Sequence, residues 1–296
     1  MSERPPDIPG AVHRWVEIGP EPVRLHVAEA GDGPPVLMLH GWPQHFWCWR
    51  RVVPLLTGRY RLICPDLRGF GWSEAPGHGY DPETFAGDAV RLLDELGIER
   101  AFLVGHDWGG LSGFVACMRQ PERFERFVAL NTPVPWPELS PRLALEAWRT
   151  WYAWLMASPL LGPELLKRRP DLIAGSLRGD HDPMSKSDAR VFADRLSLPE
   201  QARATQALYR SYLGSLVGEP LSRPYDELRL ITPTLLLFGR DDRALTPLVT
   251  RARAGKADDL RVELVDDCGH FIQEELPELV AERAAEHFSG AVRQAG

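Results

Sequence analysis

The residues that decide the fold are Gly105-His106-Asp107-Trp108-Gly109-Gly110, which join an apolar run to a helical pattern. Residues 101–104 before them predict a buried strand, and residues 110–120 after them predict a helix. Glycines on both sides of Asp107 allow a sharp strand-to-helix turn, the nucleophile elbow, which exposes the central side chain. The adjacent helix N-terminus favours negative charge. We therefore predict that Asp107 is a nucleophile.

The usual form of this turn is Gly-x-Ser-x-Gly, whereas the central residue here is an aspartate. Ser112 is the nearest serine, but its flanking glycines have the wrong spacing for an elbow. The sequence therefore predicts a carboxylate nucleophile in place of a hydroxyl.

Alternation of apolar runs and helical patterns extends along most of the chain. Continuous apolar runs of this length suit strands that are covered on both faces, as in a parallel sheet. Predicted strands lie at residues 15–18, 23–28, 36–39, 61–64, 101–104, 127–130, 234–238 and 260–265. Helical patterns between them predict an open α/β sheet.

One segment interrupts this alternation. We predict no strand between about residues 133 and 228, where helical patterns and many of the tryptophans and tyrosines lie. We interpret this segment as a helical cap inserted into the α/β core, and we expect most of its tryptophans to pack the cap against that core. The predicted domains are residues 1–132 (core, first part), 133–228 (cap) and 229–296 (core, second part).

Composition narrows the function classes. The formal net charge of −7 argues against nucleic acid or an anionic membrane as the main partner, because both need a basic face. No apolar run approaches the roughly 18 residues of a membrane span, and the opening residues do not resemble a signal peptide. The four scattered cysteines fit neither a zinc site nor a disulfide framework. We expect a cytoplasmic monomer or homodimer with reduced, buried thiols and no metal.

Three further motifs follow predicted strands. His40-Gly41-Trp42-Pro43 places the N–H of Trp42 where it can form an oxyanion hole with the N–H of Trp108. Gly269-His270-Phe271 supplies a general base, which a carboxylate must orient. Gly239-Arg240-Asp241-Asp242 supplies that carboxylate, from Asp241 or Asp242. Four of the histidines outside these motifs are expected at the surface: His13, His26, His181 and His287.

Together these motifs resemble the epoxide hydrolases of the α/β-hydrolase superfamily, in the branch with an aspartate nucleophile. The resemblance spans about residues 15–288 and includes Asp-Leu-Arg-Gly-Phe-Gly-Trp-Ser at residues 66–73. It implies an α/β-hydrolase fold with a mostly parallel central sheet flanked by helices and with an inserted helical cap. In that family the acid often lies three residues after the glycine that ends its strand, which favours Asp242. Some relatives place it one strand earlier, where this chain has Asn131.

The resemblance also implies that cap tyrosines hold the epoxide oxygen. Leu208-Tyr209-Arg210 is similar to the family's tyrosine–arginine motif, so Tyr209 is the first expected donor. Tyr152 is the candidate for the second, although Trp154 or Leu155 lies nearer the expected position. The residues expected to bind substrate are Trp42, Trp108, Trp154 and Tyr212.

The function that the resemblance implies is conversion of a small-molecule epoxide and water to a vicinal diol through an ester of Asp107, with no cofactor. One alternative is a haloalkane dehalogenase, which uses the same ester and needs donors for a halide, such as the indole of Trp108. That family often has Asn or Glu where this chain has Trp42, and Tyr209 suits an alkoxide better. The other alternative is a non-catalytic ligand-binding homologue, which has no need for Asp107, Asp242 and His270 together.

Overall fold

The structure is a computed structural model that describes residues 4–177, 184–217 and 225–292. Within them, eight strands form one sheet in the order β1-β2-β4-β3-β5-β6-β7-β8. The strands are β1 (Ala11–Ile18), β2 (Val23–Ala30), β3 (Pro35–Leu39), β4 (Arg61–Pro65), β5 (Ala101–His106), β6 (Phe124–Leu130), β7 (Thr234–Gly239) and β8 (Leu260–Val265). β1, β2 and β4 pair antiparallel, and all pairs from β4 to β8 are parallel. The predicted mostly parallel sheet is therefore confirmed.

Helices cover both faces of the sheet and fill the connection between β6 and β7. In the described part of the chain they are α1 (Val53–Leu56), α2 (Pro82–Glu95), α3 (Trp108–Arg119), α4 (Pro141–Glu146), α5 (Trp151–Ala157), α6 (Leu161–Arg168), α7 (Pro170–Ser176), α8 (Lys186–Leu196), α9 (Pro199–Val217), α10 (Ile272–Glu275) and α11 (Pro277–Val292). Local sequence fixes their ends: α2 begins where the Asp81 side chain accepts a hydrogen bond from the N–H of Thr84.

The connection from β6 to β7 carries the six helices α4 to α9, and its described residues form only isolated bridges at Pro137 and Leu230. We call residues 133–228 the cap, although its boundaries stay a prediction. The cap is tied to the core at Gly71, whose carbonyl oxygen accepts hydrogen bonds from Arg195 and Gln201. Helices α8 and α9 are therefore anchored over the loop that follows β4.

Residues 66–73 contain a buried hydrogen-bonded cluster that is centred on Asp66. Asp66 is fully buried, and its carboxylate accepts hydrogen bonds of 2.8 Å each from Phe46 N, Trp72 N and His26 Nδ1. Burial opposes the charge of Asp66, but the hydrogen bond and charge of His26 lower the pKa of Asp66 to about 2. The surface position expected for His26 is therefore wrong, because this imidazole is a buried partner of Asp66.

His13, His287 and His181 were also expected at the surface, and the cysteines in the core. His13 and His287 are half-buried, and His181 lies outside the described residues. All four cysteines are buried and unpaired, as expected. Burial raises the pKa of the Cys268 thiol to about 12, so this thiol near His270 stays protonated at neutral pH.

Candidate active site

Asp107 stands at the junction of β5 and α3 with φ +50° and ψ −115°. A side chain other than glycine is rare at such a φ, and holding it there costs on the order of 1–3 kcal/mol. The turn fits because two glycines let the backbone approach. A Cβ at Gly109 would lie 2.3 Å from the carbonyl oxygen of Leu39, and one at Gly41 would lie 2.5 Å from Asp107 Cβ. The elbow predicted from the sequence is therefore present.

Both expected oxyanion donors reach the carboxylate of Asp107. The N–H of Trp42 donates to Asp107 Oδ2 at 3.0 Å, and the N–H of Trp108 also hydrogen-bonds to this side chain. The peptide bond between Trp42 and Pro43 is cis. The two N–H groups thus face a position where a carbonyl oxygen of Asp107 can gain negative charge.

His270 and Asp242 form the expected pair. His270 Nδ1 lies 2.7 Å from Asp242 Oδ2, and the same oxygen accepts a hydrogen bond of 2.8 Å from Asn131 Nδ2. The other oxygen of Asp242 accepts from the N–H groups of Ala244 and Leu245. Asp241 is exposed and does not take this place. Asn131 stands where some relatives have the acid, and here it orients Asp242 as a donor.

The electrostatics of the site couple Asp107 to His270. Burial raises the pKa of Asp107 to about 6, although the charge of His270 and the N–H groups of Trp108 and Trp42 oppose this rise. Burial alone would lower the pKa of His270, but Asp242 and Asp107 raise it to about 9. Burial likewise disfavours the charge of Asp242, yet His270 keeps its pKa low. At neutral pH the favoured state is an ionised Asp107 facing a protonated His270.

One residue that supports the site was not found from the sequence. Glu275, in α10, is buried, and its carboxylate accepts hydrogen bonds from Gly269 N at 2.8 Å and Phe271 N at 3.2 Å. These are the peptide groups on either side of His270, so Glu275 holds the loop that carries the imidazole. The carboxyl pair Glu274-Glu275, separated by two residues from the end of the Gly-His-Phe motif, was the available signal.

Aromatic side chains cover Asp107 from the cap. The ring of Tyr209 lies 5.2 Å from that of Trp42, 6.0 Å from that of Trp108 and 5.8 Å from that of Tyr152. Tyr152 stacks on Trp42 at 6.2 Å, and Tyr212 meets Trp108 edge-on at 5.7 Å. The structure therefore brings together these five aromatic residues, all named from the sequence.

The two central tyrosines are neighbours beside Asp107. Their rings meet edge-on at 5.8 Å, and both lie close enough to Asp107 to sense its charge. Burial, the neighbouring tyrosine and Asp107 raise the pKa of Tyr209 well above its usual value, and burial and Asp107 raise that of Tyr152. Both phenols therefore stay protonated at neutral pH and remain hydrogen-bond donors.

The Trp42 indole at the site is already engaged. Its N–H donates to Thr205 Oγ1 in α9 at 3.2 Å, and the ring of Trp108 lies edge-on to that of Tyr209, with the centroids 6.0 Å apart. These contacts connect the core to the cap helix that carries Tyr209. The indole donor of Trp42, which a halide would need, is therefore occupied.

Trp154 does not join this aromatic group. Its side chain is 60% exposed on α5, and Tyr152 on the same helix faces the site instead. The helix turns the two side chains in different directions, because residues two apart lie on different faces. We therefore withdraw Trp154 from the expected substrate-binding residues.

Among residues 4–177, 184–217 and 225–292, no group of three or more His, Cys, Asp or Glu side chains is arranged to hold a metal ion. In the same ranges, no helix has both the length and the apolarity needed to cross a membrane.

The fold and the site together define a class of protein. Its features here are the eight-stranded sheet, the nucleophile elbow and the histidine–aspartate pair. A family model described as the alpha/beta hydrolase fold matches residues 34–277, and the chain belongs to this family. The soluble epoxide hydrolase of Corynebacterium sp. (strain C12) is 29% identical over 279 residues, which cover 90% of this chain and 94% of that protein. Haloalkane dehalogenase 2 of Mycobacterium tuberculosis (strain ATCC 25618 / H37Rv) is 31% identical over 275 residues, covering 90% and 91%.

Solved structures agree with this assignment. The epoxide hydrolase CorEH without ligand superposes with a TM-score of 0.81 at 27% identity, covering 95% of this chain and 99% of that one. The resemblance to epoxide hydrolases inferred from the motifs is therefore confirmed, and the fold is the expected one. Because a relative named as a dehalogenase is equally similar, the choice of substrate depends on the site.

Proposed function

We propose that this protein is an epoxide hydrolase that converts an apolar epoxide to a vicinal diol. The observation that carries the proposal is that Tyr209, which is buried, and Tyr152, which is half-buried, pack against each other at 5.8 Å and against Trp42 beside Asp107, with phenols whose pKa is raised by burial and by that carboxylate. An epoxide needs a nucleophile at carbon and a donor at oxygen on the opposite side. Asp107 and the two tyrosines supply this combination, and the surrounding rings suit an apolar substrate.

In the first step a carboxylate oxygen of Asp107 attacks an epoxide carbon, and the bond from that carbon to the epoxide oxygen breaks. The oxygen leaves with the electron pair and takes a proton from the phenol of Tyr209 or Tyr152. Because this proton is supplied as charge develops, the leaving group does not depart as a free alkoxide. The product is a hydroxyalkyl ester of Asp107, with a tyrosinate that regains its proton from solvent.

The second step uses His270. Esterification removes the negative charge of Asp107, which is one of the influences that raise the pKa of His270. The imidazole therefore loses its proton more readily once the ester has formed. It then takes a proton from water, and the oxygen of that water attacks the ester carbonyl.

The tetrahedral oxyanion lies at the N–H groups of Trp42 and Trp108, and each such donor contributes on the order of 3 kcal/mol. Collapse of this intermediate breaks the bond between the Asp107 carbonyl carbon and the alcohol oxygen. The protonated His270 gives its proton to that oxygen, and the diol leaves. Asp107, released as a carboxylic acid, then passes its proton to the neutral His270, and both groups return to their starting charges. Asp242 holds the imidazole throughout at Nδ1, 2.7 Å away.

The second candidate is dehalogenation of a haloalkane, which the similarity to haloalkane dehalogenase 2 favours. Against it stands the hydrogen bond of the Trp42 indole to Thr205. A leaving halide would have to replace this partner, whereas an epoxide oxygen meets phenol donors. A purely binding homologue has no use for the ordered Asp242–His270 pair beside Asp107.

The test is a panel of aryl and alkyl epoxides and haloalkanes, with diol and halide measured in parallel. We expect diol from epoxides, little halide from any haloalkane, and no turnover by Asp107→Asn. Halide release that exceeds diol formation by tenfold would favour the dehalogenase. Ligand binding without any product would favour the binding homologue.

A further inference from the structure

A row of large apolar side chains stands exposed on the cap. Leu145, Trp148, Trp151 and Trp154 occur at a spacing of three residues and are 77%, 68%, 61% and 60% exposed. They span α4, the 3₁₀ turn Ala147–Thr150 and α5, which follow one another without a gap. Residues three apart lie one above the other in a 3₁₀ turn and are neighbours on an α-helix. We call these four residues the tryptophan ridge.

The ridge contradicts the expectation that most cap tryptophans pack the cap against the core. Trp136 does so and is buried, but the three tryptophans of the ridge face outward. The inward face of the same segment already carries Tyr152, Ala153 and Met156. The segment is therefore apolar on both sides, and the packing of the cap explains only one of them.

The apolar surface on the ridge is large. At about 200 Å² for each tryptophan, the exposed fractions leave roughly 400 Å² on the three rings. Leu145 and three further exposed leucines that flank the ridge in sequence add several hundred Å²: Leu139, Leu160 and Leu161. The sum approaches the roughly 800 Å² per partner of a standard stable interface. The four side chains of the ridge alone expose roughly 500 Å², which is at the upper end of the largest apolar patch on a typical monomer.

The charges beside the ridge indicate the kind of partner. Arg149 lies 2.5 Å from Glu146, and Lys167 and Arg168 both pair with Glu164. These three cations are neutralised within the cap, Arg142 in α4 is an exposed cation outside these pairs, and the whole chain carries a net charge of −7. An anionic lipid surface needs a cluster of unpaired lysine and arginine, whereas a rim of mostly paired, mixed charges suits a protein.

We propose that the tryptophan ridge is the interface of a homodimer, in which the ridge of one copy packs against the same ridge of a second copy. A two-fold axis is the commonest symmetry for such an assembly, and it brings each side chain of the ridge near its own patch on the partner. Tryptophans are also the residues that most often carry the binding energy of an interface. The dimer orders α5 from outside, on the helix whose inner face presents Tyr152.

The experiment is sedimentation velocity on the full chain from 1 to 100 µM. We expect the wild type to sediment at twice its 33.3 kDa mass. Trp148→Glu and Trp151→Glu should each raise the dissociation constant at least tenfold, because a charge must then be buried in the contact. The matched control is Trp15→Glu, an exposed tryptophan on β1, which should remain a dimer.

Circular dichroism and the melting temperature verify that each variant is folded. Leu145→Glu gives an independent test at the end of the ridge. A wild type that stays monomeric at 100 µM overturns the proposal, and so does a dimer that survives both tryptophan substitutions. A monomer that floats with phosphatidylcholine–phosphatidylserine vesicles would assign the ridge to a membrane surface instead. None of these outcomes depends on epoxide turnover.

Discussion

Each residue of the proposed mechanism has a contact that explains its role. Asp107 faces two N–H donors, His270 is fixed by Asp242, and Tyr209 carries a hydroxyl whose pKa is too high for ionisation at neutral pH. These contacts assign each residue to one of the two proposed steps, ester formation or ester hydrolysis. Substitutions of single atoms can therefore be expected to slow one step and spare the other.

Tyr209→Phe should slow ester formation by about 10- to 100-fold, which is less than the roughly 10²- to 10⁴-fold of general acid catalysis because Tyr152 remains as a second donor. It should change ester hydrolysis less than threefold, because His270 performs that step. Rapid-quench kinetics with enzyme in excess separate the two rates. Tyr60→Phe, in the core away from the site, is the matched control. Equal losses in both steps would mean that Tyr209 only packs the cap.

Ester formation should also depend on pH through Asp107. Burial raises the pKa of this carboxyl to about 6, so the nucleophilic carboxylate is present above this pH and is lost below it. The single-turnover rate of ester formation should fall about tenfold for each pH unit below 6. Circular dichroism at each pH excludes unfolding as the cause. A rate that stays constant down to pH 4.5 would contradict a raised pKa.

At the scale of secondary-structure elements, short helices and turns near the strand ends position the residues of the candidate active site. The four-residue helix α10 places Glu275 against the N–H groups of Gly269 and Phe271, so it acts on His270 through the backbone. The close packing of α3 on β3 sets the elbow. The hydrophobic pattern of the sequence predicts neither contact. The first depends on the conformation of a loop, and the second depends on the distance between two backbone segments.

Glu275→Gln should slow ester hydrolysis about 10- to 100-fold and leave ester formation nearly unchanged. The charge of Glu275 is one of the influences that raise the pKa of His270. Its removal should therefore move the rise of the hydrolysis rate to lower pH. Single-turnover pH profiles of both steps measure this shift, and Glu278→Gln, exposed on α11, is the control. A slower enzyme with an unchanged profile would indicate a structural role alone.

Gly109→Ala should destabilise the fold by about 1–3 kcal/mol, because the new methyl group meets the backbone of Leu39 at 2.3 Å. Urea denaturation measures the free energy of unfolding. Gly175→Ala is the matched control, since nothing lies within 4 Å of a Cβ in that helix, and it should stabilise by about 0.5–1 kcal/mol. Equal stabilities of the two variants would refute the close approach of α3 to β3.

At the scale of the whole molecule, the sequence predicted the core better than the cap. All eight strands were expected, and six of them form the parallel part of the sheet. Buried parallel strands are continuous apolar runs, which can be recognised without knowledge of their neighbours. The pairing of His270 with Asp242 followed from motifs at strand ends. The burial of His26 was missed, because it depends on Asp66, which lies 40 residues away in the chain.

The orientation of the cap side chains could not be predicted, for a related reason. A helix that is apolar all round gives no sign of which face meets the core, so Tyr152 and Trp154 could not be separated by pattern. The structure places Tyr152 in the site and Trp154 on the surface. If the tryptophan ridge is an interface, this segment is apolar on both sides because one side packs on the core and the other packs on a second molecule.

Oxygen-isotope labelling asks directly whether Asp107 is the nucleophile. In a single turnover with enzyme in excess, in water enriched in ¹⁸O, the oxygen added to the epoxide carbon should come from the carboxylate. The diol should therefore be unlabelled, and the peptide containing Asp107 should gain one ¹⁸O when water attacks the ester carbonyl. Label in the diol on the first turnover would contradict the ester mechanism, because it would mean that water attacks the epoxide with Asp107 acting only as a base.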